Sequence, residues 1–177
     1  KVILNYFKNL NSNEISTKSS EDDFVSIADK KSEELISKAL IGFLNIKDFI
    51  GEESSYSDKI KYSTLLNKPL VWVVDPIDGT KNYINGKDTF CSMISLVSFS
   101  IPIATFIYCP LKKLYVYGFR GFGAYSKNID TNIIKKLSID PISPKQIIGS
   151  GGTKGIPEPY RKSILENLRN YTKRVFI

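Results

Sequence analysis

Histidine is missing from all 177 residues, and cysteine, methionine and tryptophan are nearly so, with two, one and one copies. The absence of histidine removes Ser-His and Cys-His nucleophilic catalysis, histidine-type zinc sites and imidazole acid–base chemistry. Cys91 and Cys109 are too few for a disulfide framework or a metal knot, so a reducing cytoplasm is the expected location. No apolar run approaches the roughly 20 residues of a membrane span, and the sequence, which opens at Lys1 rather than Met, shows no signal-peptide pattern ahead of its first apolar stripe. Chemistry must therefore come from carboxylates, hydroxyls, lysines or a metal.

What is present reads as an ordinary globular chain, 42% hydrophobic and 24% charged. It is long enough for one sizeable domain, or for one domain and part of another. Twenty-five basic residues against 18 acidic ones give +7, a balance that favours anions such as phosphates. The basic residues are scattered, without an Arg-rich stripe or an aromatic RNA-binding signature. Neither a nucleic-acid polymer nor a membrane is an expected partner.

Val2, Ile3, Tyr6, Phe7 and Leu10 recur at helical spacing, and Leu35, Ile36, Ala39, Leu40, Phe43 and Leu44 form a second stripe, with Ser26 and Asp29 spaced as a capping box before it. "NSNEISTKSSEDD" between them reads as loop. "LVWVV" reads as a buried strand ending at Asp75, and "CSMISLVSF", "IPIATFIY" and "KLYVYGF" as three more strands in an antiparallel meander. Gly118, Gly121 and Gly123 punctuate a turn before a short strand at Ala124-Tyr125. "DPISPKQ" reads as a linker between an α+β domain, residues 1–143, and a second α/β domain beginning at 144 and running to 177. There "QIIGSGG" starts a strand, Ile164, Leu165, Leu168 and Tyr171 mark a helix, and "RVFI" starts a further strand.

"VVDPIDGTKNY" places Asp75 and Asp78 three residues apart around Pro76, although like charges repel and both are costly to desolvate. Pro76 biases Asp75 toward an extended conformation, so the strand is expected to end there and the chain to turn. One reading is an Asx-turn with solvated carboxylates. The other is a hard cation, since Mg²⁺ prefers oxygen ligands and shares carboxylates with substrate phosphate. Gly79 permits an unusual backbone angle or a close ligand approach, and Thr80 can cap a following helix whose first amides would seat a phosphate.

"VSIAD" (25–29), "GEES" (51–54) and "WVVDPIDGTKNY" (72–83), with 22 residues separating Glu52 from Asp75, together resemble the inositol monophosphatase family of Mg²⁺-dependent, lithium-sensitive sugar-phosphate phosphatases. The resemblance runs to about Tyr125 and more loosely to the end. It implies an α+β fold of the layered αβαβα sandwich type, an N-terminal layer of helices on an antiparallel sheet plus the start of a second α/β layer. It also implies a homodimer and two or three Mg²⁺ ions in the intact site.

By motif position, Glu52 resembles a metal ligand that also partners the attacking water, Asp75 a carboxylate bridging two metals, Ile77 a backbone-carbonyl ligand, and Asp78 a ligand of the second metal. Gly79 and Thr80 match phosphate-holding amides, with the Thr80 hydroxyl helping Glu52 to activate water. Asp29 matches an aspartate near the metals, acting through water. A second-half W-D-x-A-type segment, which would complete the second metal site, does not occur here, and the chain ends are read as those of a fragment.

Each assignment has a plainer alternative. Asp29 can simply complete the Ser26 cap, or do both. Glu52 can be a solvated loop charge, and Glu53 more readily so. Lys81 can touch phosphate or lie on the surface, Trp72 and Tyr83 read as packing residues, and Gly149 to Gly152 as a loop. The implied activity is hydrolysis of a small phosphomonoester such as inositol 1-phosphate or a related sugar phosphate. The alternatives are a 3′(2′),5′-bisphosphate nucleotidase or, for a naturally short chain, a non-catalytic metal- or phosphate-binding module.

Overall fold

The computed structural model describes residues 1–18, 23–58, 67–139, 148–150, 160–171 and 174–176. The chain divides into two compact units, Lys1–Leu137 and Ser138–Ile177. The expected boundary after residue 143 and the linker "DPISPKQ" lie outside the described residues.

In the first unit, a seven-stranded mixed sheet runs in sequence order: β3 (Phe49–Gly51), β4 (Val71–Asp78), β5 (Cys91–Ser98), β6 (Ile101–Cys109), β7 (Leu114–Phe119), β8 (Gly123–Asn128) and β9 (Ile134–Leu137). β3 pairs parallel to β4 and every later pair is antiparallel, as the short connections led us to expect. β9 and the full length of β8 carried no clear sequence signal. Gly118 lies inside β7, Gly121 takes the left-handed backbone of the following turn, and Gly123, also at positive φ, opens β8.

α1 (Val2–Tyr6) and α2 (Ile27–Leu44) pack together, and α2 packs on β4. The first apolar stripe behaves as its spacing predicts. Ile3, Tyr6, Phe7 and Leu10 lie against a core of Ala28, Ile77, Tyr83 and Phe90, although the helix itself stops at Tyr6. Phe7, Tyr83 and Phe90 form a ring cluster with centroids 5.0–5.6 Å apart, in which Tyr83 and Phe90 meet edge-on, as aromatic quadrupoles favour, and Phe7 is tilted against both. The second stripe does not: Leu35 and Phe43 are exposed, and the buried residues of α2 are Ala28, Asp29, Ser32 and Glu33. α2 thus presents a polar face to the interior at its first two turns. It ends at Asn45, whose left-handed backbone caps the last turn with its N–H on the Ile41 carbonyl.

The polar stretch read as loop instead holds a short hairpin, β1 (Ile15–Thr17) antiparallel to β2 (Phe24–Ser26). Residues 19–22 of that stretch are outside the described set. The second unit contains β10 (Ile148–Ser150), α5 (Tyr160–Tyr171) and β11 (Arg174–Phe176), with β10 and β11 parallel. Gly149 and Ser150 therefore belong to a strand of a βαβ unit rather than to a loop, while Gly151 and Gly152 lie outside the described residues. No described helix is long and apolar enough to cross a membrane.

Candidate functional site

The parallel register of β3 and β4 explains how Glu52 reaches Asp75 across 22 residues. Gly51 pairs with Val74, so the next residue of each strand, Glu52 and Asp75, emerges at the same end of the sheet. α3 (Glu52–Asp58) starts at this point. β4 does not end at Asp75, as its proline implied, but runs to Asp78 through a bulge. Asp75 pairs with Met93 and Asp78 with Cys91, so β4 carries one residue more than β5 across that interval. The Ser92 hydroxyl fills the irregularity by donating to the Pro76 carbonyl at 2.7 Å. Edge distortions of this kind re-aim side chains, and here the bulge brings Asp78 back toward Asp75.

The side chain of Ile77 is fully buried in the aromatic core, which fixes its carbonyl at the site. That carbonyl accepts a 3.0 Å hydrogen bond from the Thr80 hydroxyl, whose oxygen also lies 3.3 Å from Asp29 Oδ1. Asp29 is fully buried and does complete the capping box, with Oδ2 accepting from the Ser26 N–H at 2.8 Å and the Ser26 hydroxyl at 2.6 Å. One carboxylate therefore starts α2 and orients Thr80. The Thr80 hydroxyl is thus held between Asp29 and the Ile77 carbonyl. Gly79 precedes α4 (Thr80–Ile84) at φ 87°, and a Cβ there would sit 2.9 Å from the Thr89 carbonyl oxygen, so only glycine fits without strain.

Burial first, then the charge of Glu52 and a hydrogen bond shared with it, and then Asp78 and Asp29, push the Asp75 carboxyl up to about 7. Its Oδ1 is buried with no hydrogen-bond partner. Asp75, Glu52, Asp78 and Asp29 are thus close enough to feel one another. Yet among the described residues no three acidic or cysteine side chains form a ready-made metal cage. An orphaned carboxylate oxygen within an all-oxygen donor set suits a hard cation whose remaining ligands are water and substrate. A cavity of about 370 Å³ opens beside Glu52 and Asp75, lined also by Met93, Ser95 and Thr105.

Two residues around this site, Glu33 and Lys18, carried no recognised signal. Glu33, five per cent exposed, accepts the Glu53 N–H at 2.7 Å on Oε2 and the Ser54 N–H at 2.8 Å on Oε1, capping α3 from a distance of 20 residues in sequence. A Cβ on Gly51 would overlap that carboxylate, which explains the glycine of G-E-E. Lys18 donates at 2.7 Å to both Glu52 Oε1 and Glu53 Oε1. Glu53 is correspondingly not a solvated charge; its side chain is 8% exposed. Burial pulls the Lys18 ammonium down, but the hydrogen bonds and charges of both glutamates hold it above its ordinary value. Glu53 is nevertheless pushed up to about 7, because burial outweighs its half-share of one ammonium and Glu52 and Asp29 add repulsion. The spacing of Asp29 and Glu33, one helical turn apart, was the signal that could have placed Glu33 on the same inward face. Trp72 and Tyr83 are buried packing residues, as expected, and Lys81 is exposed.

A mixed sheet backed by a helix pair, with acids gathered where a bulged strand meets a helix start, defines the layered α/β sandwich of the sugar-phosphatase class. The chain belongs to the inositol monophosphatase family, whose sequence model matches residues 1–175. It is 40% identical to a fructose-1,6-bisphosphatase/inositol-1-monophosphatase of Aquifex aeolicus over 106 residues, 59% of this chain and 37% of that protein. It is 30% identical to the protein of the same description from Methanocaldococcus jannaschii over 177 residues, all of this chain and 62% of that one. A staphylococcal inositol monophosphatase-1 superimposes with a TM-score of 0.71 at 19% identity, covering 98% of this chain and 60% of that structure, a likeness of fold. The chain thus spans less than two thirds of the length of these relatives.

Proposed function

We propose that this chain forms the metal- and phosphate-binding part of a Mg²⁺-dependent hydrolase of small phosphomonoesters, with inositol 1-phosphate or a related sugar phosphate as substrate. The observation that carries this reading is the crowding of Glu52, Asp75 and Asp78 around a buried, unpartnered carboxylate oxygen. In this reading Glu52, Asp75, the Ile77 carbonyl and Asp78 hold the cation, which when bound supplies charge neutralisation for phosphate and acidifies water.

The chain's own groups do the remaining work. Gly79 and Thr80 offer backbone amides to phosphate oxygens where the chain turns into α4. Glu52 accepts a proton from the attacking water, and Asp29 Oδ1 steers the Thr80 hydroxyl toward that water. Lys18, shared by Glu52 and Glu53, limits acid–acid repulsion at the entrance to α3. The +7 net charge draws phosphorylated substrates toward the protein. A homodimeric assembly and a cytoplasmic location belong to the same proposal.

Release of inorganic phosphate from inositol 1-phosphate and from adenosine 3′,5′-bisphosphate, each with Mg²⁺ and with EDTA, tests it. Mg²⁺-dependent release that falls about a hundredfold or more in Asp78→Asn supports the reading. Release that survives EDTA, or that Asp78→Asn leaves unchanged, contradicts it, and preference for the bisphosphate nucleotide moves the substrate assignment to a nucleotidase.

A further inference from the structure

β5 and β6 pair antiparallel with Ser92 opposite Tyr108. One residue further along each strand, at the end of the ladder, stand Cys91 and Cys109, the only two cysteines of the sequence. Residues directly opposite in antiparallel strands share a face, with Cβ atoms about 4.5–5.5 Å apart. Both thiols are partly accessible and line one cavity of about 260 Å³ together with Asp78, Asp88, Thr89 and Lys112. Cys91 also points its Sγ at Asp78 Oδ2, 3.7 Å away.

We propose that Cys91 and Cys109 form a reversible intramolecular disulfide when the protein meets a peroxide, and that this bond acts on Asp78. A disulfide needs its Cβ atoms about 3.5–4.5 Å apart, so closure requires an approach of about 1 Å. The β5–β6 ladder stops one pair short of the two cysteines, which are held on their outer sides by Asp78 and Leu114, and β6 gives way to the 3-10 turn Pro110–Lys112 directly after Cys109, so the approach is made between two strand ends not hydrogen-bonded to each other. A bridge that must draw strands together is one that reductants reopen readily, which fits sensing rather than scaffolding.

The chemistry balances with hydrogen peroxide as oxidant. One sulfur attacks a peroxide oxygen, the O–O bond breaks and hydroxide leaves, giving a sulfenic acid. The second sulfur attacks that sulfur, the S–S bond forms, the S–O bond breaks and water leaves, with Asp78 Oδ2 placed to receive the Cys91 proton on its way to solvent. In sum, two thiols lose two electrons and two protons, and the peroxide becomes two waters. The new bond removes the Cys91 S–H donor from Asp78. A consequence for activity follows only if Asp78 holds the cation, and that part rests on the function proposed above.

The test treats the protein with hydrogen peroxide, blocks remaining thiols with iodoacetamide and measures intact mass. The expected product is a monomer lighter by two hydrogens, unalkylated, and restored by dithiothreitol. Cys109→Ser should instead give no such loss. Both thiols still alkylated, further oxidation to sulfinic acid without a bridge, or a disulfide-linked dimer would overturn the proposal. In parallel, phosphate release should fall about tenfold on oxidation, recover on reduction and stay constant in Cys109→Ser. A bridge that leaves release unchanged overturns the link to Asp78. Absence of release before oxidation counts against the proposed function, while the mass measurement still decides the bond.

Discussion

The two ends of the seven-stranded sheet are packed very differently. At the β3–β4 end, five of the eight residues of β4 are buried, Ile77 is locked in the aromatic core, and buried side chains of α2 hold both Thr80 and the start of α3. At the β8–β9 end all four residues of β9 are exposed, Ile134 by 55%, and no helix described in the first unit makes substantial contact with β8 or β9. The far half of α2 is likewise open, with Phe43 at 75% exposure. Packing is concentrated beneath the acids. A surface that holds like charges together needs rigid support, because repulsion would otherwise be relieved by movement of the backbone.

That contrast yields three graded tests. Ile77→Ala should cost about 2–5 kcal/mol, whereas Ile134→Ala should stay within about 0.5 kcal/mol, as followed by urea denaturation; equal costs would mean that the sheet is uniformly packed. Glu33→Ala should cost about 1–3 kcal/mol, since it leaves the Glu53 and Ser54 amides without their acceptor, and should loosen Glu52. Glu33→Gln, which retains one acceptor, should lose less, and equal losses would deny the double cap.

The smallest effect is electrostatic. Asp75 rises from 3.8 to about 7 in the folded chain, so the folded state binds more protons than the unfolded state over that interval. Stability present at acidic pH is therefore lost as pH climbs from about 4 to about 7 in the metal-free protein. Discounted for the partial exposure of Asp75, this is on the order of 1 kcal/mol, or a few degrees in melting temperature. Asp75→Asn should flatten the slope, and an identical slope in the variant would remove Asp75 as its source.

Much of the β3–β4 end was legible because its residues have local reasons to be where they are. Ser26 and Asp29 cap a helix, Gly79 needs its backbone angle, and three of the four residues in the apolar run Val71–Val74 of β4 are β-branched. The strand's continuation past Pro76 was not legible. A proline marks a break, but only the partner strand and the Ser92 hydroxyl decide between a turn and a bulge. Glu53 was misread for a similar reason, since its partner in the interior is a lysine 35 residues away that offsets part of the cost of burial. The apolar stripe of α2 shows the converse case: periodicity gives a face but does not say whether the fold supplies a partner for it.

The central claim is that the Asp75 cluster is built to be neutralised by a divalent cation. Thermal melting of the metal-free protein at pH 7.5, with Mg²⁺ added stepwise and compared between the wild-type chain and Asp75→Asn, tests this most directly. The account predicts that Mg²⁺ raises the melting temperature of the wild-type chain in a saturable way and has little effect on Asp75→Asn. A wild-type melting temperature indifferent to Mg²⁺, or an equal rise in both proteins, would contradict it.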